Sequence, residues 1–294
     1  MSSIRQFPIR QFHYQPSQGW HAQLSDDQLI SEEPLQIVCK QIVKQGNSAQ
    51  HNSAQLIMMR SPGDDIHLVT GWLFTAGIVQ HPSQIISIHH SGSARLKGLP
   101  GNQVTVSLSA SANFDPHALQ RMESVNSACG VCGQHSIDKV LNQLAQRDKP
   151  VNQNPLPLFA LLPMVESLAS QQHLFQQTGG NHGVALFDQK LRITAVAEDV
   201  GRHNAFDKVI GANAEALFAK PESDSVPIVG AILSGRVGYE MIQKALMANL
   251  RYVLALGAPS SLAVELAQEA DMALIGFIKP QRFNLYCGEH LVLF

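Results

Sequence analysis

The segment VPIVGAILSG, residues 226–235, is apolar at almost every position and ends in a glycine. It is followed by YEMIQKALMANL, residues 239–250, in which apolar residues recur at helical spacing. Residues 252–258, 261–270 and 272–278 continue the alternation as strand, helix and strand. Because these strands are continuously apolar, we expect a parallel sheet that helices cover on both faces. The sequence therefore predicts an α/β fold for the C-terminal half.

Polar and basic residues follow each of these three predicted strands. They are SGR at 234–236, GAPSS at 257–261 and KPQR at 279–282. Ligands of open α/β sheets bind at the carboxyl ends of the strands. The basic side chains and the amides of the following helices therefore predict a cradle for a diphosphate. The basic side chains are those of Arg236, Lys279 and Arg282.

The N-terminal half has a different pattern. Between residues 32 and 110, short β-branched or alternating stretches are broken by turn signals such as SPGDD. Within them LVTGWLFTAGIV, residues 68–79, is expected to be a short buried helix. We predict a poorly ordered arm over residues 1–30, a strand-rich α+β domain over 31–150 and an α/β domain over 155–294. The Pro- and Asn-rich stretch at 147–157 is the predicted linker.

Composition excludes several function classes. The chain has 294 residues and a formal net charge of −2, so its bulk charge does not favour nucleic acid or an anionic membrane. No apolar run approaches the roughly 18 to 20 residues of a membrane span, and the polar start lacks a signal-peptide core. We expect a cytoplasmic protein.

Two of the four cysteines lie in NSACGVCGQHS, residues 126–136. Glycines directly after Cys129 and Cys132 favour a mobile, accessible loop. Thiol or persulfide chemistry, metal binding and a structural role all remain open for this pair, although no second cysteine pair or spaced histidine pair completes a zinc site. Cys39 and Cys287 are expected to be small buried apolar residues.

A second group of polar residues lies in TGGNHGVALFD, residues 178–188, and AEDVGRHNAFDKVIG, residues 197–211. Its glycines would let backbone amides approach a ligand, and several side chains could donate hydrogen bonds near a strand-to-helix junction. The alternative is a buried polar network in which Glu198 or Asp199 pairs with Arg202. The candidate donors are Arg202, His203, Asn204 and Lys208.

Five motifs occur in this order: SACGVCG, TGGNHGVALFD, EDVGRHNAFDKVIG, SGRVGYEMIQKA and GFIKPQRFNLY. Together they resemble the formate dehydrogenase accessory sulfurtransferase family, FdhD/NarQ. The resemblance implies a sulfur carrier that accepts persulfide sulfur from a cysteine desulfurase. It would deliver that sulfur to the molybdenum cofactor of formate dehydrogenase, bound as molybdopterin guanine dinucleotide. It also implies a C-terminal domain similar in fold to cytidine deaminases.

The resemblance assigns roles to individual residues. The persulfide position falls on Cys129 with Cys132 as its partner, and no metal is expected. The cofactor segment falls on residues 277–282, to which we add Arg236 and His203. The segment consists of Phe277, Ile278, Lys279, Pro280, Gln281 and Arg282.

Three other functions are weighed against this one. A zinc deaminase needs His-x-Glu and Pro-Cys-x-x-Cys, and none of the thirteen histidines has a glutamate two residues on. A cofactor chaperone that does not move sulfur and a zinc-stabilised binding module remain alternatives. A homodimer is considered as a further partner state.

Overall fold

The computed structural model describes residues 3–45, 48–91, 101–117, 119, 155–219 and 226–294. The strands are β1 (Ile4–Gln15), β2 (Gly19–Ile30), β3 (Glu33–Gln45), β4 (Ser48–Arg60), β5 (Ile85–His90), β6 (Gln103–Leu108), β7 (Leu156–Pro157), β8 (His182–Asp188), β9 (Ile193–Asp199), β10 (Ile228–Leu233), β11 (Tyr252–Ala255), β12 (Ala273–Lys279), β13 (Arg282–Cys287) and β14 (Val292–Leu293). The α-helices are α1 (Asp65–Thr75), α2 (Leu158–Gln171), α3 (His173–Thr178), α4 (Arg202–Ala212), α5 (Ala214–Phe218), α6 (Tyr239–Met247) and α7 (Ser261–Glu269).

The C-terminal half is built on a six-stranded sheet with the order β13-β12-β11-β10-β8-β9. Strands β10, β11 and β12 are parallel and are joined through α6 and α7, so the predicted strand-helix series is confirmed. The other three strands are antiparallel to their neighbours. The sheet is therefore mixed rather than purely parallel, because two hairpins extend its parallel centre.

Both faces of this sheet are covered, as its apolar strands predicted. One face, with Val184, Ala231 and Val253, packs against α4, α6 and α7 in the larger core. The opposite face, with Phe187 and Tyr252, packs against α2 and the short β7–β14 pair. Burial on both sides leaves only the strand ends available for a ligand.

The N-terminal half is a four-stranded sheet with the order β4-β3-β6-β5, which confirms the predicted strand-rich region. One face, with Leu35, Ile37 and Val106, packs against α1, the helix expected near residues 68–79. At the start of α1, the buried guanidinium of Arg60 makes two hydrogen bonds to the carboxylate of Asp65, at 2.7 and 2.9 Å. This pair fixes the helix to the end of β4.

Helices α1 and α4 join the two sheets through very close backbone contact. A Cβ atom on Gly71 would overlap the carbonyl of Asp207, and one on Gly211 would overlap the carbonyl of His67. Both halves contribute side chains to the same core. The boundary expected near residues 147–157 stays a prediction, since residues 120–154 lie outside the described part of the chain.

The prediction of a poorly ordered arm over residues 1–30 is wrong. Strands β1 and β2 pair over twelve residues each, from Ile4 opposite Ile30 to Gln15 opposite Gly19. The segment is rich in Gln, Ser and His, and its alternation was too weak to predict strands. Within the described ranges, every helix is too short or too polar to cross a membrane.

Candidate functional site

The chemistry-bearing motifs of the C-terminal half meet at one edge of the six-stranded sheet. Strands β10, β11 and β12 end there, and β8 begins there because it is antiparallel to β10. Strand β9 also ends at this edge, where Asp199 lies opposite His182. This carboxyl edge therefore collects the first turns of α4, α6 and α7, as expected for a ligand site in an α/β sheet.

Backbone hydrogen bonds fix the loops after β10 and β11 against each other. The Gly257 amide donates to the Gly235 carbonyl at 3.2 Å, and the Val237 amide donates to the Ala258 carbonyl at 3.0 Å. A Cβ atom on Gly257 would lie 2.7 Å from the Gly235 oxygen, so this approach requires glycine. The two loops are thus held together between the strand ends and form the floor of the site.

The polar residues of AEDVGRHNAFDKVIG divide into two groups. The side chains of the first group are buried, and their polar atoms are paired with other groups of the protein. Asp199 forms an ion pair with Lys208 at 2.8 Å and accepts a hydrogen bond from the Ser61 amide at 3.1 Å. Asn204 donates to the Met59 carbonyl at 2.7 Å. The buried polar network weighed as the alternative is therefore present in this group, although Asp199 pairs with Lys208 rather than with Arg202. Asn204 and Lys208 are occupied within it, so the prediction that they are ligand donors is wrong. These side chains anchor α4 to the loop after β4.

Glu198 is also occupied within the fold. Its carboxylate accepts hydrogen bonds from the amides of Leu174 and Phe175 at 2.8 and 2.9 Å, at the start of α3. It accepts a third from the Asn181 side chain at 3.2 Å. The structure thus uses Glu198 to hold α3 against β9.

The second group faces the edge and has unused polar atoms. Nε of Arg202, Nε2 of His203 and the hydroxyl of Tyr239 are all buried without a hydrogen-bond partner. Nε2 of His203 lies 3.9 Å from Oε2 of Glu240, beyond hydrogen-bond distance. Buried polar atoms are normally paired, so this group of polar atoms without partners is suited to a polar ligand.

The histidines at this edge are held neutral. Burial, followed by the charges of Lys244 and Arg202, lowers the pKa of His203 to about 4. Burial and the charges of Arg202 and Arg236 also lower the pKa of His182. Each imidazole is therefore available near neutral pH as a hydrogen-bonding group rather than as a cation.

The predicted cofactor segment forms the tip of the β12–β13 hairpin. The last pairing of β12 with β11 is Ile275 with Leu254, so the segment extends beyond the end of β11. Lys279 and Arg282 lie directly opposite each other and are exposed. Exposed cations that project past the sheet edge can meet an anion without first breaking an ion pair.

Two residues of the predicted cofactor segment, Phe277 and Ile278, are held by the fold in ways that restrict their contact with a ligand. Ile278 is buried in the core beneath the sheet, so only its backbone could meet a ligand. Phe277 adopts φ 52°, a left-handed conformation that is uncommon for residues other than glycine. Its amide donates to the Gly257 carbonyl at 3.1 Å. The hairpin is thereby tied to the floor of the site.

The helix termini at this edge are not equivalent. Gly238 begins α6 without a side-chain cap, whereas the Ser260 side chain accepts a hydrogen bond from the Ala263 amide and caps α7. Arg236, which is exposed, lies in the loop before α6, three residues ahead of Tyr239. Of the two helix termini predicted to bind phosphate, the one after SGR keeps more free amides.

The glycine-rich turn before β8 has a packing role. Gly179 ends α3 with φ 63°, and the Gly183 amide donates to Oγ of Ser234 at 2.9 Å. A side chain at Gly180 would collide with Ile30. The predicted binding role of these glycines is therefore not supported at Gly183, whose amide is already occupied.

The predicted persulfide residues Cys129 and Cys132 lie outside the described residues. Cys39 is fully buried, and burial raises its pKa to about 12. Cys287 is half-buried, and burial also raises its pKa. The expectation of a small buried residue is confirmed for Cys39, whereas Cys287 is only half-buried. Among the described residues, no three His, Cys, Asp or Glu side chains are grouped as metal ligands.

The sequence did not single out His182, Tyr239 or Glu240 as site residues. His182 lies inside TGGNHGVALFD, but its proximity to Arg236 depends on the antiparallel pairing of β8 with β10. Tyr239 and Glu240 occupy the first turn of α6. Their position one turn after SGR, at a strand-to-helix junction, was the signal that could have identified them.

Comparison of the sequence with models of known protein families gives independent evidence on this chain. The model of the FdhD/NarQ family matches residues 30–293. The chain belongs to the FdhD/NarQ family. The resemblance drawn from the five motifs is thereby confirmed, and the match includes both sheets and the carboxyl edge.

Individual relatives agree with this membership. The sulfur carrier protein FdhD of Anaeromyxobacter dehalogenans is 40% identical over 241 residues, which cover 80% of this chain and 82% of that protein. The sulfur carrier protein FdhD of Streptomyces avermitilis is 35% identical over 272 residues, covering 90% and 89%. Both matches extend over most of the length of each chain.

One solved structure matches the fold over almost the whole chain. It is a crystal structure of a protein from Desulfotalea psychrophila that is named as a formate dehydrogenase accessory protein. The TM-score is 0.64 at 20% sequence identity, covering 98% of this chain and 99% of that one. The mixed α/β architecture is therefore shared with a known structure.

Proposed function

We propose that this protein is a sulfurtransferase that supplies sulfur to the molybdenum cofactor of a formate dehydrogenase. The single observation that carries the proposal is the 40% identity over 241 residues to a sulfur carrier protein FdhD. The structural neighbour, named as a formate dehydrogenase accessory protein, supports the identity of the recipient. A cytoplasmic cysteine desulfurase would be the donor.

Sulfur loading would take place at Cys129. Its thiolate attacks the outer sulfur of the desulfurase persulfide, the S–S bond breaks, and the desulfurase thiolate leaves. Cys132 would then assist release in one of two ways. Attack on the outer sulfur moves the persulfide to Cys132, whereas attack on the inner sulfur expels sulfide and leaves a disulfide that a dithiol must reduce.

The substrate that receives the sulfur would bind at the carboxyl edge. Molybdopterin guanine dinucleotide carries a diphosphate, and this edge presents exposed cations at Arg236, Lys279 and Arg282. The orphaned polar atoms of Arg202 and His203 lie at the same edge and could bind polar groups of the ligand. These features fit an anionic ligand with hydrogen-bonding groups.

We also propose that the C-terminal domain has the cytidine deaminase type of fold. The support for this is a mixed six-stranded sheet, with the order β13-β12-β11-β10-β8-β9, that has helices on both faces. Deamination itself is not proposed, because the sequence has neither His-x-Glu nor Pro-Cys-x-x-Cys. The strand-end site would serve cofactor binding instead.

Complementation of cells that lack the accessory protein tests this function. Wild type and a Cys39→Ser variant should restore formate dehydrogenase activity, and Cys129→Ala should not. Full restoration by a Cys129→Ala/Cys132→Ala double variant would overturn sulfur transfer and favour a cofactor chaperone. Stoichiometric zinc in the purified protein, lost on the same double substitution, would favour a zinc-stabilised module.

A further inference from the structure

A buried ion pair joins α4 to α6 one helical turn behind the carboxyl edge. Nζ of Lys244 donates to both carboxylate oxygens of Asp207, at 2.7 Å each, and to the Thr75 hydroxyl at 3.0 Å. Thr75, the last residue of α1, lies within 2.7 Å of Oδ1 of Asp207 and can donate to it. All three protons of the Lys244 ammonium are therefore used, which fixes its position among three helices.

This ion pair is almost closed to solvent. The exposed fraction of the side chain is 14% for Lys244 and 2% for Asp207. Burial raises the pKa of Asp207, whereas the charge of Lys244 lowers it. Removing two charges from water costs free energy, and apolar side chains of similar volume often stabilise a protein equally well. The pair is therefore weak evidence of a role in stability alone.

The position of the pair along the two helices connects it to the candidate site. On α4, His203 lies four residues before Asp207, and on α6, Glu240 lies four residues before Lys244. Residues four apart lie on the same face of a helix. The helices therefore face each other with two successive pairs. The inner pair, Asp207 with Lys244, is in direct contact at 2.7 Å, whereas the outer pair, His203 with Glu240, is 3.9 Å apart.

The separation of the outer pair leaves polar atoms available to a ligand. Nε2 of His203 and the hydroxyl of Tyr239 are buried without a hydrogen-bond partner. A hydrogen bond between His203 and Glu240 would need these side chains to approach by about 1 Å. The inner pair holds the two helices at their present spacing, so the outer side chains face the site rather than bond to each other.

The charges around His203 support this arrangement. Burial contributes most to its low pKa of about 4, and the charges of Lys244 and Arg202 lower the pKa further. The carboxylate of Glu240 acts in the opposite direction. Asp207, one turn along the same helix, is bonded to Lys244. Lys244 is therefore the cation from the facing helix that favours a neutral imidazole at this site.

We propose that Lys244 is a positioning residue of the carboxyl-edge site. Its bonds to Asp207 and Thr75 set the spacing of α4 and α6, so that the His203 and Glu240 side chains meet a ligand instead of each other. This role rests on the proposed binding of the cofactor at the same edge. Lys244 does not touch the ligand and acts through the two side chains one turn ahead of the ion pair.

Calorimetric titration of GDP into full-length variants near neutral pH tests this role. Lys244→Met should lower the affinity for GDP roughly 10-fold, the equivalent of one lost hydrogen bond to the ligand. Lys244→Arg keeps a cation that can pair with Asp207 and should recover most of the loss. The double variant Lys244→Met/Asp207→Asn removes both buried charges, which favours folding, and should bind GDP as weakly as Lys244→Met.

The matched control is Lys208→Met, which removes another buried lysine that is paired with an aspartate, on α4 itself. While folded, it should bind GDP like wild type, because its ion pair does not reach α6. Equal GDP affinities of wild type and Lys244→Met, or equal losses in Lys244→Met and Lys208→Met, would overturn the positioning role. A wild type that binds no GDP would overturn the cofactor site itself, and the role of Lys244 with it.

The protonation of His203 gives a second measurement that needs no ligand. Nuclear magnetic resonance of histidine-labelled protein follows the imidazole signals with pH, and the His203→Gln spectrum identifies the signal of His203. In wild type this imidazole should take up a proton only near pH 4. In Lys244→Met it should do so at a higher pH, nearer to the ordinary 6.5, because the facing cation is gone. Lys208→Met should titrate like wild type, and an unchanged titration in Lys244→Met would contradict the proposal.

Discussion

Nε2 of His203 lies 3.9 Å from Oε2 of Glu240, so the first turns of α4 and α6 face each other across the carboxyl edge of the sheet. The two residues belong to separate sequence motifs that follow different strands. The strand order places them together with Arg202 and Tyr239, whose orphaned polar atoms lie beside them. This juxtaposition defines the centre of the candidate site.

Removal of a cation at the tip of the β12–β13 hairpin should weaken the binding of GDP, which serves as a probe for the guanine dinucleotide. Arg282→Ala should lower affinity roughly 10- to 100-fold, because one charge-assisted phosphate contact is lost. Lys279→Ala should have a similar or smaller effect, since lysine acts as a point charge. Calorimetric titration measures both changes.

The control for this experiment is Lys190→Ala. Lys190 is exposed in the turn between β8 and β9, at the opposite edge of the sheet. The Lys190→Ala substitution also removes one positive charge from the protein, but it should leave the affinity for GDP unchanged. Equal affinities for wild type and Arg282→Ala would remove the hairpin tip from the site.

Lys208→Met should destabilise the fold by about 3 to 5 kcal/mol. The substitution leaves the fully buried Asp199 carboxylate without its cation, and an unpaired buried charge is costly. The free energy of unfolding in urea measures the loss. The exposed Lys190→Met should change it by less than about 0.5 kcal/mol. Similar values for the two variants would show that the Asp199–Lys208 pair does not hold α4 in place.

The histidine at the site predicts a pH dependence of stability. The pKa of His203 falls from its ordinary 6.5 to about 4 in the folded protein. The contribution of His203 to the free energy of unfolding is therefore complete above pH 6.5 and is lost as the pH falls towards 4. In that range the imidazole takes up a proton in the unfolded chain but stays neutral in the folded protein. Unfolding midpoints should fall more between pH 7.5 and 4.5 in wild type than in His203→Gln. Parallel pH profiles would contradict the burial of a neutral imidazole.

Cys39→Ser and Cys287→Ser should both load sulfur like wild type. Burial raises the pKa of each thiol, so neither is a thiolate near neutral pH. Iodoacetamide should likewise leave Cys39 unmodified in the folded protein. Loss of loading by either folded variant would reveal a relay or metal role for that cysteine.

The sequence predicted the centre of the fold because its signals are local. The apolar strands around Val229 and Val253 and the amphipathic helix between them need no information from distant residues. The strand ends at SGR and GAPSS were located correctly for the same reason. The hairpin at residues 4–30 was missed because its alternation is diluted by glutamine and histidine.

The division of roles within one motif was beyond the sequence. Lys208 and Arg202 are both cations in AEDVGRHNAFDKVIG, yet Lys208 is buried against Asp199 while Arg202 keeps an unpaired Nε. The difference depends on Ser61, which approaches from the other sheet. A partner so distant in sequence leaves no periodic signal.

The mass of the peptide that contains Cys129 and Cys132 tests the central claim most directly. The protein is incubated with a cysteine desulfurase and cysteine and is digested without a reductant. The account predicts a mass increase of one sulfur atom on this peptide, which a dithiol reverses and the Cys129→Ala variant lacks. An unchanged mass in wild type, under conditions in which the desulfurase itself carries a persulfide, would contradict it.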